Sequence, residues 1–169
     1  LMANCPIVVR TLDVGGDKSV PFYDFGAEAN PYLGYRAIRI SLDHPKDFKS
    51  QLRAILRASV GREIRIMFPM IADIEEFRQA REMLFEVKAA LVAGGIPSAA
   101  DVKVGVMVEI PSVALLADHF AKEVDFFSIG TNDLTQYTLA AERGNKHLSH
   151  LNDYFHPAIL KQIMLVVEA

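Results

Sequence analysis

Glu109 and Asp133 are the side chains in this sequence whose setting most suggests chemistry. Each closes a short apolar run: Val102 to Pro111 reads V-K-V-G-V-M-V-E-I-P, and Val124 to Thr138 reads V-D-F-F-S-I-G-T-N-D-L-T-Q-Y-T. Such runs read as buried strands, and α/β enzymes keep their polar working groups at the C-terminal ends of buried parallel strands. One strand-helix-strand step separates the two carboxylates, which places both on the same rim of a parallel sheet. There they could share Mg²⁺, a hard cation that takes one or two carboxylates and completes its shell with water and substrate oxygens. A bland account competes with this one. Asp133, with Gln136 three residues later, could be a helix N-cap, and Glu109 could simply favour the positive end of the next helix. Spacing alone leaves both accounts open.

Three arginines, Arg10, Arg36 and Arg143, fall in loops or at strand ends rather than on charged helical faces. Guanidinium forks grip phosphate and carboxylate, so a cluster of them beside a metal suggests a small phosphorylated acid. An internal ion pair, such as Arg10 with Asp13, is the alternative for any one of them. G-G-D-K at Gly15 to Lys18 lacks the spacing of a P-loop or a dinucleotide fingerprint and reads as a turn. His119 reads as packed or solvent-facing, and His147, His150 and His156 lack metal-ligand spacing. Arg62, Arg65, Lys46 and Lys49 read as solvated charges, and Met67, Met70 and Met107 as fillers of core gaps. Cys5, beside Pro6, reads as a small core residue.

Elements that alternate between strand and helix must position these residues. Ile7 to Leu12 is expected as a strand, followed by a turn at Gly15 and Gly16 and a loop from Pro21 to Pro31 long enough to be functional. L-G-Y-R-A-I-R-I is compatible with a strand or a short helix. Pro45 opens a helix with the stripe Phe48, Leu52, Ile55 and Leu56, and Glu63 to Met70 forms the next strand. Asp73 with Glu76 makes a capping-box start to a helix striped by Ile74, Phe77, Leu84, Val87 and Leu91 and stopped by Gly94 and Gly95. After Glu109 a helix with Leu115, Leu116 and Phe120 is expected. The last helix, with Ile159, Leu160, Ile163, Met164, Val166 and Val167, is apolar around more than half its girth and needs a cover. Strands alternating with long helices imply a parallel sheet. Four or five strands leave a choice between a small doubly wound sheet and part of a (β/α)8 barrel, and the apolar last helix favours the partial barrel.

The chain has 169 residues, of which 51% are hydrophobic, as expected for one α/β domain with strands covered on both faces. A net charge of -3 gives no electrostatic case for nucleic acid or an anionic membrane, so phosphate recognition must come from a few placed arginines. A single cysteine excludes an internal disulfide and fits a reducing cytoplasm. No apolar run reaches the roughly 20 residues that span a bilayer.

R-T-L-D-V-G-G-D-K, N-P-Y-L-G-Y-R-A-I-R-I, Q-L-R-A-I-L-R-A-S, I-M-F-P-M-I, G-V-M-V-E and D-F-F-S-I-G-T-N-D-L-T-Q-Y, in this order, resemble the C-terminal domain of Enzyme I. That is the phosphoenolpyruvate-protein phosphotransferase family of the bacterial sugar phosphotransferase system. Phosphoenolpyruvate synthase and pyruvate phosphate dikinase share the last motif, but the uninterrupted R-T-L-D-V-G-G-D-K favours Enzyme I. The resemblance implies a (β/α)8 TIM barrel, of which residues 1–169 would be a single-domain piece without the first strand region and the C-terminal strands. It implies phosphoenolpyruvate and Mg²⁺ at the C-terminal rim: Arg10 on the substrate phosphate, Glu109 and Asp133 on the metal, and Asn132, Asp133, Arg143 and Arg36 on the substrate.

It also implies that no catalytic group lies in this stretch. The family's upstream arginine, its downstream C-G-E cysteine and its phosphorylated histidine would lie outside, Cys5 does not replace the cysteine, and the chain alone is expected not to turn over. The implied partners are a histidine carrier protein, reached through another domain, and a second copy in a homodimer. Two rivals are a synthase or dikinase barrel, and a non-catalytic module for dimerisation and ligand sensing.

Overall fold

The structure is a computed structural model and describes residues 5–16 and 26–169. Four strands, β1 (Ile7–Arg10), β2 (Ile64–Phe68), β3 (Lys103–Val108) and β4 (Phe126–Ile129), form one sheet in the order β1-β2-β3-β4, with every pairing parallel. A doubly wound sheet reverses its strand order at a switch point, and no reversal occurs here. The register pairs Arg10 with Met67, Phe68 with Val106, and Val108 with Ile129, so all four C-terminal strand ends reach one edge of the layer. The ladder runs on past the strands, with the Thr11 amide donating to the Met67 carbonyl at 3.0 Å and the Gly130 amide to the Val108 carbonyl at 2.9 Å.

One face of the inner strands carries the core. Ile66, Phe68, Val104, Val106 and Val108 are buried, whereas β1 alternates between half-buried and exposed positions. Gly105 is required where β3 passes β4, because a Cβ there would sit 2.4 Å from the Phe126 carbonyl oxygen. At the opposite edge from the site, the Asp125 carboxylate accepts the Val104 amide at 2.7 Å and ties the start of β3 to β4.

Helices α1 (Ile38–Asp43), α2 (Pro45–Ala58) and α3 (Ile74–Ala93) follow the first two strands. The α2 stripe is buried as its spacing predicts, and α3 starts with the expected capping box, Asp73 accepting the Glu75 amide and Glu76 accepting the Asp73 amide. L-G-Y-R-A-I-R-I resolves in favour of helix, from Ile38 onward. The segment after Glu109 departs from expectation. It forms two short helices, α4 (Pro111–Leu115) and α5 (Ala117–Phe120), broken at Leu116, and it packs through Val113, Ala114, Ala117 and Phe120. Leu115 and Leu116 are exposed, because the buried stripe is offset from the one they suggested.

Helix α6 (Thr131–Leu139) follows β4, and α7 (Pro157–Glu168) packs on α4, α5 and α6. Leu160, Met164 and Val167 remain exposed on α7, the uncovered apolar face that its sequence predicts. His156, which had no expected role, caps this helix by accepting the Ala158 amide at 3.2 Å. Cys5 is exposed rather than in the core, since it precedes a half-covered edge strand. Asp17, Lys18 and Pro21 to Phe25 lie outside the described residues. No helix among the described residues is long and apolar enough to cross a membrane.

Candidate functional site

The strand ends converge on a cluster of opposed charges. Arg10 is the last residue of β1, and its Nη1 stands 3.4 Å from Asp13 Oδ2 and 3.9 Å from Met107 Sδ. Arg36 lies just before α1 with no exposed surface, yet it carries a full charge. Its Nη2 is 3.1 Å from Asp13 Oδ1 and 3.6 Å from Asp133 Oδ2, and its Nη1 donates to the Tyr137 hydroxyl at 3.2 Å. Burial works against that charge, but Asp13 and its other neighbours outweigh it, and the net shift of the guanidinium pKa is upward.

A buried arginine demands that the chain be laid around it. Gly15, at φ 90°, permits this: a Cβ there would come within 2.5 Å of the Tyr35 carbonyl oxygen and 2.8 Å of Arg36 Cβ.

Glu109 stands one residue past β3 and is 2% exposed. Its Oε1 accepts the Met70 amide at 2.6 Å. Burial, only partly offset by that amide and added to by the nearby Asp133 and Asp13 charges, pushes its carboxyl up to about 7. Asp133 is the third residue of α6, and the N-cap is Gly130, so the alternative of a capping aspartate does not hold. Its chain is turned inward, where Arg36 faces Oδ2 and Arg143 Nη1 lies 3.8 Å from Oδ1.

Asn132 is exposed on the same first turn. Arg143 follows α6, its amide held by Gln136 Oε1 at 3.0 Å. Side-chain exposure separates the arginines: Arg10 at 42% and Arg143 at 36% can meet a solute, whereas Arg36 lies beneath them.

Whether Mg²⁺ suits these residues can be tested on the donors themselves. Asp133 Oδ1 is buried with no hydrogen-bond partner, a costly state for a carboxylate oxygen, and burial pushes the Glu109 carboxyl up to about 7. A divalent cation between them would relieve both, so the residues fit. Among the described residues no group of three or more His, Cys, Asp or Glu could hold a metal, so Glu109 and Asp133 would supply two carboxylates, and Mg²⁺ takes one or two with water and substrate oxygens.

Five further contributors come from the structure. Asp13 grips Arg36 as well as its expected partner Arg10. Met70 is more than the expected core filler: its backbone is left-handed at φ 57°, and this aims its amide at Glu109. Gln136 and Tyr137 stand three and four residues after Asp133, and that helical spacing was a usable signal for a shared face. Gly130, which follows β4, leaves room for Glu109: a Cβ there would sit 3.1 Å from Glu109 Cβ and Oε2 and from Met107 Cγ. Beside the cluster opens a cavity of about 680 Å³ whose walls include Tyr32, Leu33, Ile110, Met70, Gln136 and Tyr137, the last three shared with the cluster.

The chain is similar to known proteins along its whole length. A family model described as PEP-utilising enzyme, PEP-binding domain matches residues 1–169. Phosphoenolpyruvate-protein phosphotransferases from Lactococcus lactis and Bacillus subtilis are each 56% identical to it, and that from Latilactobacillus sakei is 58% identical. Each alignment covers 99% of this chain and 29–30% of the relative, so the chain spans about 30% of the length of the relatives it matches.

Proposed function

Since the chain belongs to the PEP-binding domain family of PEP-utilising enzymes, we propose that its rim is the phosphoenolpyruvate- and Mg²⁺-binding surface of a phosphotransferase. The observation that carries this reading is Asp133, beside Glu109, with one buried carboxylate oxygen that makes no hydrogen bond and with Arg36 and Arg143 against it. Arg10 and Arg143 expose part of their guanidinium surface to an anion, and each faces a carboxylate whose place an incoming phosphate would take or share. Arg36 sits under them and offsets the charge of Asp13 and Asp133, and Asn132 offers an exposed amide at the mouth. Mg²⁺ held by Glu109 and Asp133 would neutralise charge on the phosphoryl oxygens.

In the whole enzyme the phosphorus-oxygen bond of phosphoenolpyruvate breaks as a bond forms to a histidine nitrogen on another domain. The enolate leaves, and a group outside this stretch supplies its proton. Catalysis by these residues is positioning and electrostatic stabilisation. The phosphoryl group then passes to a histidine carrier protein. The names of the relatives support a phosphotransferase over a synthase or dikinase. The single-wound strand order supports a (β/α)8 barrel of which these four strands are consecutive staves, and residues 1–169 form one domain piece of it. A homodimer in the cytoplasm completes the proposal.

Titration calorimetry with phosphoenolpyruvate, with and without Mg²⁺, tests the core of this reading. Mg²⁺-dependent binding by the full-length protein, lost on Asp133→Ala, is the expected result. Binding that ignores Mg²⁺, or survives the substitution, would remove Glu109 and Asp133 from the metal role.

A further inference from the structure

We propose that Tyr137 is a positioning residue for Arg36, so that its hydroxyl sets how tightly the rim holds phosphoenolpyruvate without touching it. The inference rests on the reading of the rim as a phosphoenolpyruvate site. The hydroxyl has one hydrogen, and it is committed: Tyr137 donates to the Tyr32 carbonyl. Its lone pairs are therefore left for Arg36 Nη1, which donates to it at 3.2 Å, and Met70 Sδ lies 3.9 Å away. A neutral acceptor at this place holds one arm of the guanidinium away from the two carboxylates that compete for the other, Asp13 at 3.1 Å and Asp133 at 3.6 Å.

The same hydroxyl also fixes the backbone that carries Arg36. Tyr32 belongs to the tight 3-10 turn Pro31–Leu33, only a few residues upstream, and Arg39 Nη1 fastens the end of that turn by donating to the Leu33 and Gly34 carbonyls at 3.0 and 2.6 Å. Tyr137 is thus the tie from α6, the helix that carries Asp133, to both the head and the root of Arg36.

Removal of the hydroxyl alone would have a definite effect. Arg36 Nε already lacks a partner, and a phenylalanine would leave Nη1 without its acceptor on a guanidinium that no water reaches. The arm would swing toward the carboxylates, and Asp133 would be drawn closer to the guanidinium at the expense of its other duties.

The test is a double-mutant cycle on the full-length protein, read as the dissociation constant for phosphoenolpyruvate at saturating Mg²⁺. The variants are Tyr137→Phe, Arg36→Lys and both together. Lysine is chosen because a point charge cannot keep the forked contacts to Asp13 and Tyr137 at once. We expect Tyr137→Phe to weaken binding about tenfold, and the double variant to bind about as weakly as Arg36→Lys alone, because the hydroxyl acts through the guanidinium.

A hydroxyl that merely stabilised the fold would give effects that multiply, and that result, or a Tyr137→Phe protein within about twofold of wild type, overturns the inference while leaving the site reading intact. Wild-type protein that fails to bind phosphoenolpyruvate in Mg²⁺ overturns both. Thermal midpoints of all four proteins, taken alongside, keep unfolding from passing as weak binding.

Discussion

The Met70 amide donates to Glu109 Oε1 at 2.6 Å from a backbone held at φ 57°, a left-handed conformation that a non-glycine residue adopts only at a cost of roughly 1–3 kcal/mol. This contact joins the C-terminal end of β2 to that of β3 and fixes one face of Glu109 while leaving Oε2 beside Gly130. Strain in the β2 turn therefore accompanies the placement of a single carboxylate.

Glu109 should make stability fall with pH when no divalent cation is present. Its folded pKa of about 7 lies above its ordinary value of 4.5, so the folded state binds the proton more tightly than the unfolded one. The stability tied to that proton is complete below about 4.5 and is lost as pH rises through about 7. Glu109→Gln keeps the acceptor for Met70 and should be flat over this window and more stable than wild type at pH 8, by on the order of 3 kcal/mol. Urea denaturation at pH 5 and pH 8 reads the difference, and parallel pH curves for the two proteins would contradict it.

Removing the buried cation should cost far more than removing a surface one. Arg36→Met leaves Asp13 and Asp133 facing each other without their shared partner, with an expected loss of roughly 3–5 kcal/mol. Arg65, paired with Glu63 at the exposed side of β2, should lose at most about 1 kcal/mol on the same substitution. Equal losses in chemical denaturation would mean that Arg36 does not organise the cluster.

Gly130→Ala should harm the site more than the fold. The φ of −92° suits alanine, so the only penalty is space: three atoms at 3.1 Å, two of them in Glu109, must move by a few tenths of an ångström. The overpacking cost should be about 1–3 kcal/mol, while Mg²⁺-dependent binding of phosphoenolpyruvate drops by about tenfold or more. Calorimetry and thermal unfolding of the same preparation separate the two effects, and unchanged binding would show that Glu109 has room to spare.

Asp133→Asn should keep the helix and lose the metal. Gly130 caps α6, so the substitution removes no cap, and the amide can still accept from Arg36. In the full-length protein Mg²⁺-dependent autophosphorylation from phosphoenolpyruvate should fall by about a thousandfold or more, with circular dichroism unchanged. Substantial residual transfer would assign the metal elsewhere.

Much of this was legible in the sequence because the patterns that betray it are local. The α2 stripe, the Asp73 capping box and the strands before Glu109 and Asp133 depend on neighbours a few residues away, and all four appear as read. The carboxylates and arginines were found because charged groups at the ends of apolar runs stand out. Met70 and Gly130 were missed as working parts because their roles depend on a contact across strands, with Glu109, that no spacing encodes. Arg36 was found but its depth was not: nothing in Y-R-A-I says that the side chain passes under Gly15 and loses all contact with solvent. The break at Leu116 was hidden for the opposite reason, since five residues of α4 are too short for a stripe to declare itself.

The sequential strand order has a consequence for assembly. Each strand pairs with the one that precedes it in the chain, so the sheet can grow one crossover unit at a time, although each step, from Ile7 with Ile64 onward, must first close a long crossover. The charged cluster cannot grow in that way, because Arg36 arrives with the first unit and Asp133 only with the last. Until β4 docks, Arg36 has Asp13 but not Asp133, and a ligand that needs the whole rim would select for chains that have finished folding.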